Sequence, residues 1–325
     1  MILSYAAGLT AMLTDKLKKF GLTAERVDYN KPLFPQIKDV DIIVNGLGKL
    51  DKTIIDNCPN LKLVHQVGTG IDNVDVGYCT SKSIYVANVP NINNVSVAEH
   101  TLFLMIYLGK NMKSAGEAVM KRRVLNVLGS EIQGKNLTII GLGATGMEVA
   151  KRAKCFGMAV TAVTKHPENK TNRLQSNNSS CNSDFMYKIL GIESLSDSLA
   201  TADYVSIHTS LTNETRGLLG AKEIKVMKES AFLVNVARAQ IVDRDVLFEA
   251  LTNSKIAGAA FDVYWEEPAD PNDKLLKLDN FVLTPHVAGW TNEAAEKITK
   301  IIAVNVDKVM RGQVPTTIVN SELMS

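Results

Sequence analysis

The chain has 325 residues, long enough for two domains of ordinary size with substantial cores. Hydrophobic residues make up 46% and charged residues 22%, the balance of a globular protein. A net charge of +2 excludes an overall field aimed at nucleic acid or an anionic membrane. The longest unbroken apolar run, Leu102 to Leu108, is seven residues, far short of the roughly 20 that a membrane span needs.

Taken in order, the N-terminal MILSYAAGLTAML is apolar but has no basic stretch before it. Asp15, Lys16, Lys18 and Lys19 follow within a helical pattern, so a strand (Ile2–Tyr5) and a helix (Leu9–Phe20) are expected here rather than a leader. Strands are expected at Asp41–Val44, Leu61–Gln66 and Ile84–Ala87. Val97 to about Arg122 reads as one long helix with Leu102, Met105, Ile106 and Leu108 on its apolar side, crossing between domains. From Leu137 short strands and helices alternate again: strands Leu137–Ile140, Val160–Val163, Tyr204–Ile207, Ala231–Val236, Ala257–Val263 and Phe281–Thr284, with helices Ser194–Ala200, Ala221–Met227 and Asp243–Leu251. Residues 168–190 are polar and Asn/Ser-rich and read as a surface insertion. The last helix, Asn292–Met310, is expected to return to the first domain. Such alternation predicts an α/β protein with two doubly wound parallel sheets. The expected domains are 1–97 with 292–325, and 98–291, with a ligand cleft between them. The four cysteines, Cys58, Cys79, Cys155 and Cys181, match no metal-ligand spacing, so no metal is expected. Cys155 reads as a small core residue, and a reducing, cytoplasmic setting fits the set.

The most informative stretch is KNLTIIGLGATG, Lys135 to Gly146. A buried strand runs straight into Gly141, Gly143 and Gly146 in G-x-G-x-x-G spacing, and MEVAKRAKCF continues as a helix. The first glycine permits a tight turn, the second lets backbone approach a pyrophosphate, and the third lets helix pack on strand. The phosphates would then meet the amides of Ala144 and Thr145 at the helix N-terminus, where the dipole favours anions. The pattern predicts a Rossmann-like dinucleotide site, the alternative being an ordinary tight strand-to-helix turn.

Three charged residues fall at strand ends of the second domain: Arg238 in NVARAQIVD, Glu267 in FDVYWEEP and His286 in LTPHVAGW. In a parallel sheet these ends share one edge. A carboxylate beside an imidazole favours the charged ring, which suits proton transfer near neutral pH. A guanidinium can clamp a carboxylate in bidentate fashion.

With these residues the chain resembles the D-isomer-specific 2-hydroxyacid dehydrogenases, the group holding D-lactate, glyoxylate/hydroxypyruvate and 3-phosphoglycerate dehydrogenases. VGTGIDNVD (Val67–Asp75), NVPNINNVSVAEH (Asn88–His100), GLGATG, SIHTSLTNET (Ser206–Thr215), NVARAQIVD, FDVYWEEP and TPHVAGW follow in the family's order. The resemblance implies an NAD(P)H-dependent reductase of a small 2-oxo acid, glyoxylate or hydroxypyruvate favoured. It makes His286 the acid/base, Glu267 its partner and Arg238 the carboxylate clamp. The amides of Val67, Gly68 and Thr69 would form a nest for the same carboxylate. Asp262 would meet the nicotinamide carboxamide. His208, Thr209, Ser210 and Asn213, then Val236 and Ala237, and finally Gly289, would complete the cofactor site. A homodimer built on the nucleotide domain is implied as well.

The chain departs from the family's pattern in four places. Ala239 stands where Gly usually follows the arginine, and Ser210 where Pro is usual. Gln66 replaces the arginine that phosphoglycerate dehydrogenases often carry before the loop, which lowers that alternative. At the end of the second strand, 18 residues beyond Gly146, Thr164, Lys165 and His166 stand where an NAD site wants Asp or Glu. A hydroxyl and a cation there point to NADP(H) over NAD(H). A non-enzymatic, dinucleotide-sensing corepressor keeps the same Arg/Glu/His set and is the alternative from another class; phosphite oxidation is one within enzymes.

Overall fold

The structure, a computed structural model, describes residues 1–324 apart from Ala7, Tyr29 and 169–187. Most of the expected insertion at 168–190, and Cys181 with it, lies outside the described residues. The rest separate into two compact units, Met1–Asn93 with Trp290–Ser325, and Asn94–Gly289.

The first unit runs β1 (Ile2–Ser4), α1 (Thr10–Lys18), β2 (Ala24–Arg26), α2 (Leu33–Ile37), β3 (Ile42–Asn45), α3 (Lys52–Asp56), β4 (Leu63–Gln66), α4 (Val76–Ser81) and β5 (Tyr85–Ala87). The strands pair in parallel in the order β2-β1-β3-β4-β5. β3 and β4 are buried at every position, as a sheet covered on both faces requires. The short helices α3 and α4 start where Asp51 and Asp75 accept backbone N–H groups of their first turns. These helices and β2 carry too few periodic apolar positions to stand out in the sequence.

The second unit opens with α5 (Asn94–Gly109) and α6 (Met112–Met120). The single helix expected over Val97–Arg122 is therefore two. Asn111 sits in the left-handed region at φ 51°, and the Ser130 N–H donates to Gly109 O at 2.6 Å, bringing the returning chain against the end of α5. Asparagine tolerates that backbone conformation, and the apolar pattern running through the break hid it. Then follow β6 (Asn136–Ile140), α7 (Ala144–Cys155), β7 (Ala159–Val163), β8 (Lys188–Leu190), α8 (Leu195–Thr201), β9 (Tyr204–Ile207), α9 (Ala221–Val226), β10 (Phe232–Asn235), α10 (Arg244–Thr252), β11 (Gly258–Phe261) and β12 (Phe281–Leu283). All pair in parallel, in the order β12-β11-β10-β9-β6-β7-β8. Cys155 is exposed, contrary to the core role expected of it. α7 buries Gly146, Val149, Ala150 and Ala153, and a residue two beyond Ala153 is turned about 200° away from that face.

The chain returns to the first unit with α11 (Asn292–Met310), capped by the Thr291 hydroxyl, which accepts from the Ala294 N–H. Ile298, Ile302, Val306 and Val309 are buried at helical spacing, in one cluster with Leu13 and Leu17 of α1. Among the described residues no helix is long and apolar enough to cross a membrane.

Candidate active site and dinucleotide groove

Strand order in the second sheet reverses between β6 and β9, so their carboxyl ends flank a crevice where α/β proteins bind ligands. The glycines are fitted to it. Gly141 has φ +94°, and a Cβ there would lie 2.7 Å from His208 O, on the loop after β9. A Cβ on Gly146 would lie 2.2 Å from Gly141 O. A Cβ on Gly143, the residue capping α7, would meet nothing within 4 Å, which is the open approach a pyrophosphate needs. Ala144 and Thr145 open α7, and the Thr145 hydroxyl donates to Asn94 Oδ1 of α5 at 3.0 Å.

A groove of about 720 Å³ runs over this turn. Of the expected cofactor residues it is lined by Gly141, Gly143, Thr164, Lys165, His208, Thr209 and Ser210. Asn213 is not on its wall; Ile192, Glu214 and Thr215 are, and sequence reasoning missed them. The Thr215 hydroxyl braces the loop, donating to Ser210 O at 2.7 Å and accepting from the Thr212 N–H at 2.8 Å. Lys165 Nζ lies 2.7 Å from Glu214 Oε2. Thr164 and Lys165 do stand at this strand end; a carboxylate nevertheless reaches the groove, from the loop after β9. An enclosed turn with an open glycine and a groove of this size fit a dinucleotide.

The neighbouring strand ends hold the charged residues. After β10, buried Asn235 folds the turn to Arg238: its amide donates to Arg238 O at 2.9 Å and its carbonyl accepts from the Ala237 N–H at 3.0 Å. Val236 and Ala237 lie inside that turn, and Ala239 is fully buried, so a small residue keeps it closed. Past β11, Glu267 Oε1 accepts the Tyr264 N–H at 2.8 Å while Oε2 lies 2.8 Å from His286 Nδ1. Burial alone would push the Glu267 carboxyl up; the His286 ring, the Tyr264 amide and the nearby Arg238 charge outweigh it and hold it below the usual carboxylate range. The structure therefore brings Arg238, Glu267 and His286 together.

His286 stands at φ +56° on the turn after β12. Asp262, almost wholly buried, holds that turn: Oδ1 accepts from the Thr284 hydroxyl at 2.5 Å and the Val287 N–H at 2.9 Å, and Oδ2 from the Ala288 N–H at 2.7 Å. His100 of α5 meets Thr284 Oγ1 at 3.0 Å on the same network. Gly289 ends the unit.

In the other unit Val67, Gly68 and Thr69 follow β4. The Val67 N–H is already donated to Asn45 O at 2.9 Å, so the three-amide nest reduces to Gly68 and Thr69. Gly68 borders open space. Gln66 is buried and braces this turn, donating to Gly46 O and accepting from the Asn45 amide at 3.0 Å.

Residues 102–288 match the family model for the D-isomer specific 2-hydroxyacid dehydrogenase, NAD binding domain. The chain belongs to the D-isomer-specific 2-hydroxyacid dehydrogenases. It is 34% identical to a glyoxylate reductase of Korarchaeum cryptofilum over 90% of this chain and 87% of that protein. It is 36% identical to a D-3-phosphoglycerate dehydrogenase of Methanocaldococcus jannaschii over 92% of its own length, but spans only 54% of that relative. Among solved structures, the D-lactate dehydrogenase of Aquifex aeolicus complexed with NAD and lactic acid superposes with a TM-score of 0.80 at 26% identity, covering 98% of both chains. The matched residues fall in the second unit, which holds the seven-stranded parallel sheet.

Proposed function

We propose that the protein reduces a small 2-oxo acid, of the glyoxylate or hydroxypyruvate kind, to its D-2-hydroxy acid with NAD(P)H. The observation that carries this is the His286–Glu267 pair beside Arg238 at the strand ends next to the dinucleotide groove. Glu267, anchored by the Tyr264 amide, orients the ring through Nδ1 and leaves Nε2 to protonate the carbonyl oxygen. Arg238 engages the substrate carboxylate and polarises the carbonyl. The amides of Gly68 and Thr69 suit a carboxylate oxygen. The nicotinamide supplies the hydride when bound; Asp262 Oδ2, which accepts the Ala288 N–H, keeps acceptor capacity for its carboxamide.

Gln66 supports the choice of substrate. Buried and committed to Gly46 and Asn45, it offers no charge to a phosphate, so 3-phosphoglycerate is the lesser reading. Thr164 and Lys165 on the groove wall support NADP(H) over NAD(H). Exposed Met112, Val119, Met120, Val124, Leu125 and Leu128 support a homodimer that covers them with a second copy. Cys58 and Cys79, buried free thiols, agree with a reducing, cytoplasmic setting.

The test is a spectrophotometric matrix of NADPH and NADH against glyoxylate, hydroxypyruvate, pyruvate and 3-phosphohydroxypyruvate, with His286→Ala as control. Oxidation of NADPH by glyoxylate or hydroxypyruvate, lost in the variant, is the expected result. Dinucleotide binding without turnover of any acid would favour the sensing role.

A further inference from the structure

The lysine on the wall of the dinucleotide groove is already answered by a carboxylate. Lys165, past the end of β7, is paired with Glu214 at 2.7 Å, and His166 Nδ1 lies 3.5 Å from Glu168 Oε1. Glu214 is delivered from the other side of the groove, on the loop braced by the Thr215 hydroxyl, and it lines the groove together with Thr164 and Lys165. The pair therefore spans the groove at the position assigned above to the ribose 2′ end, and its role in cofactor choice rests on that assignment.

We infer that Glu214 is a cofactor-discriminating residue: its carboxylate occupies Lys165 as an internal stand-in for the 2′-phosphate, which must displace it to bind. The two possible ribose substituents face this pair differently. A 2′-phosphate competes for the lysine and is repelled by the displaced carboxylate. A 2′-hydroxyl can instead donate to a carboxylate, the interaction that NAD sites use. Glu214 therefore tempers the preference for NADP(H) that Thr164 and Lys165 set up, and the ratio of the two affinities is written in one ion pair. Both partners are well exposed, so the effect is modest and salt-sensitive.

The experiment is equilibrium fluorescence titration of the full chain with NADPH and with NADH, for wild type, Glu214→Gln and Lys165→Met, at low and high ionic strength. In Glu214→Gln the ratio of the NADH Kd to the NADPH Kd is expected to rise about fivefold at low salt, less at high salt. In Lys165→Met, NADPH binding is expected to weaken more than NADH binding. An unchanged ratio in Glu214→Gln, with NADPH selectively weakened in Lys165→Met, overturns the role of Glu214 alone. Equal behaviour of both cofactors in Lys165→Met overturns the 2′-end reading and this inference with it.

Discussion

Glu267 uses its two oxygens for two jobs, one fixed to backbone and one to the His286 ring. Glu267→Gln keeps the shape but removes the charge that faces the His286 ring. The expected outcome is a loss of about 10- to 100-fold in kcat for reduction, with dinucleotide affinity little changed. Full turnover in the variant would leave Glu267 with a packing role only. His286→Ala is expected to lose about 10²- to 10⁴-fold in kcat, the range for a positioned acid/base. Asp262→Asn puts a donor in place of the acceptor facing either the Val287 or the Ala288 amide, so the His286 turn loosens and kcat should drop in the same spectrophotometric assay. Arg238, Glu267 and His286 were legible because each is a charged residue at a recognisable strand end. Glu214 and the bonds of Asp262 were not: they join loops distant in sequence, which residue spacing does not encode. Asn235 bonds only within its own turn, and an asparagine after an apolar strand carries no signal of its own.

At the level of elements, the turn from β6 into α7 is held by backbone meeting backbone. Gly146→Ala would place a Cβ 2.2 Å from Gly141 O, and no flexible side chain is there to yield. The variant is expected to lose about 3 kcal/mol of stability and most of its dinucleotide affinity, read by thermal melts and fluorescence titration. A stable, tightly binding variant would show that the turn can relax. The fold was legible wherever a strand was a continuous buried apolar run: β9 and α11 match their expected limits, and β6 and β10 come within a residue at each end. It was illegible where local composition and tertiary constraint disagree. The break at Asn111 depends on the chain returning through Ser130, and α2, α3 and α4 are too short to establish a period. The exposure of Cys155 follows from helix phase, which becomes readable once the buried face of α7 is known.

For the whole molecule, His65 ties distant parts of the chain together. Fully buried on β4, it donates from Nδ1 to Gln66 O and accepts at Nε2 from the Asn305 amide of α11, and burial pushes its pKa down to about 4 despite the Gln66 carbonyl. Unfolded, it titrates near 6.5, so the unfolded chain binds the extra proton first as pH falls. Stability should therefore decline between pH 6.5 and 4, by about 3 kcal/mol from this residue, and His65→Gln should flatten that slope in urea melts. The proposed homodimer predicts sedimentation at twice the 35.4 kDa chain mass, shifted to the single chain by Leu125→Asp with Leu128→Asp. The division of the chain carries a consequence for its synthesis. Asn94–Gly289 is one uninterrupted stretch, whereas the unit that begins at Met1 needs α11, which emerges almost the whole chain later. Until then Leu13 and Leu17 of α1 lack the helix that shares their cluster. On the ribosome the nucleotide-binding unit can therefore close while the earlier-made segment still waits, with apolar surface for a chaperone to hold. Order of synthesis and order of completion run in opposite directions.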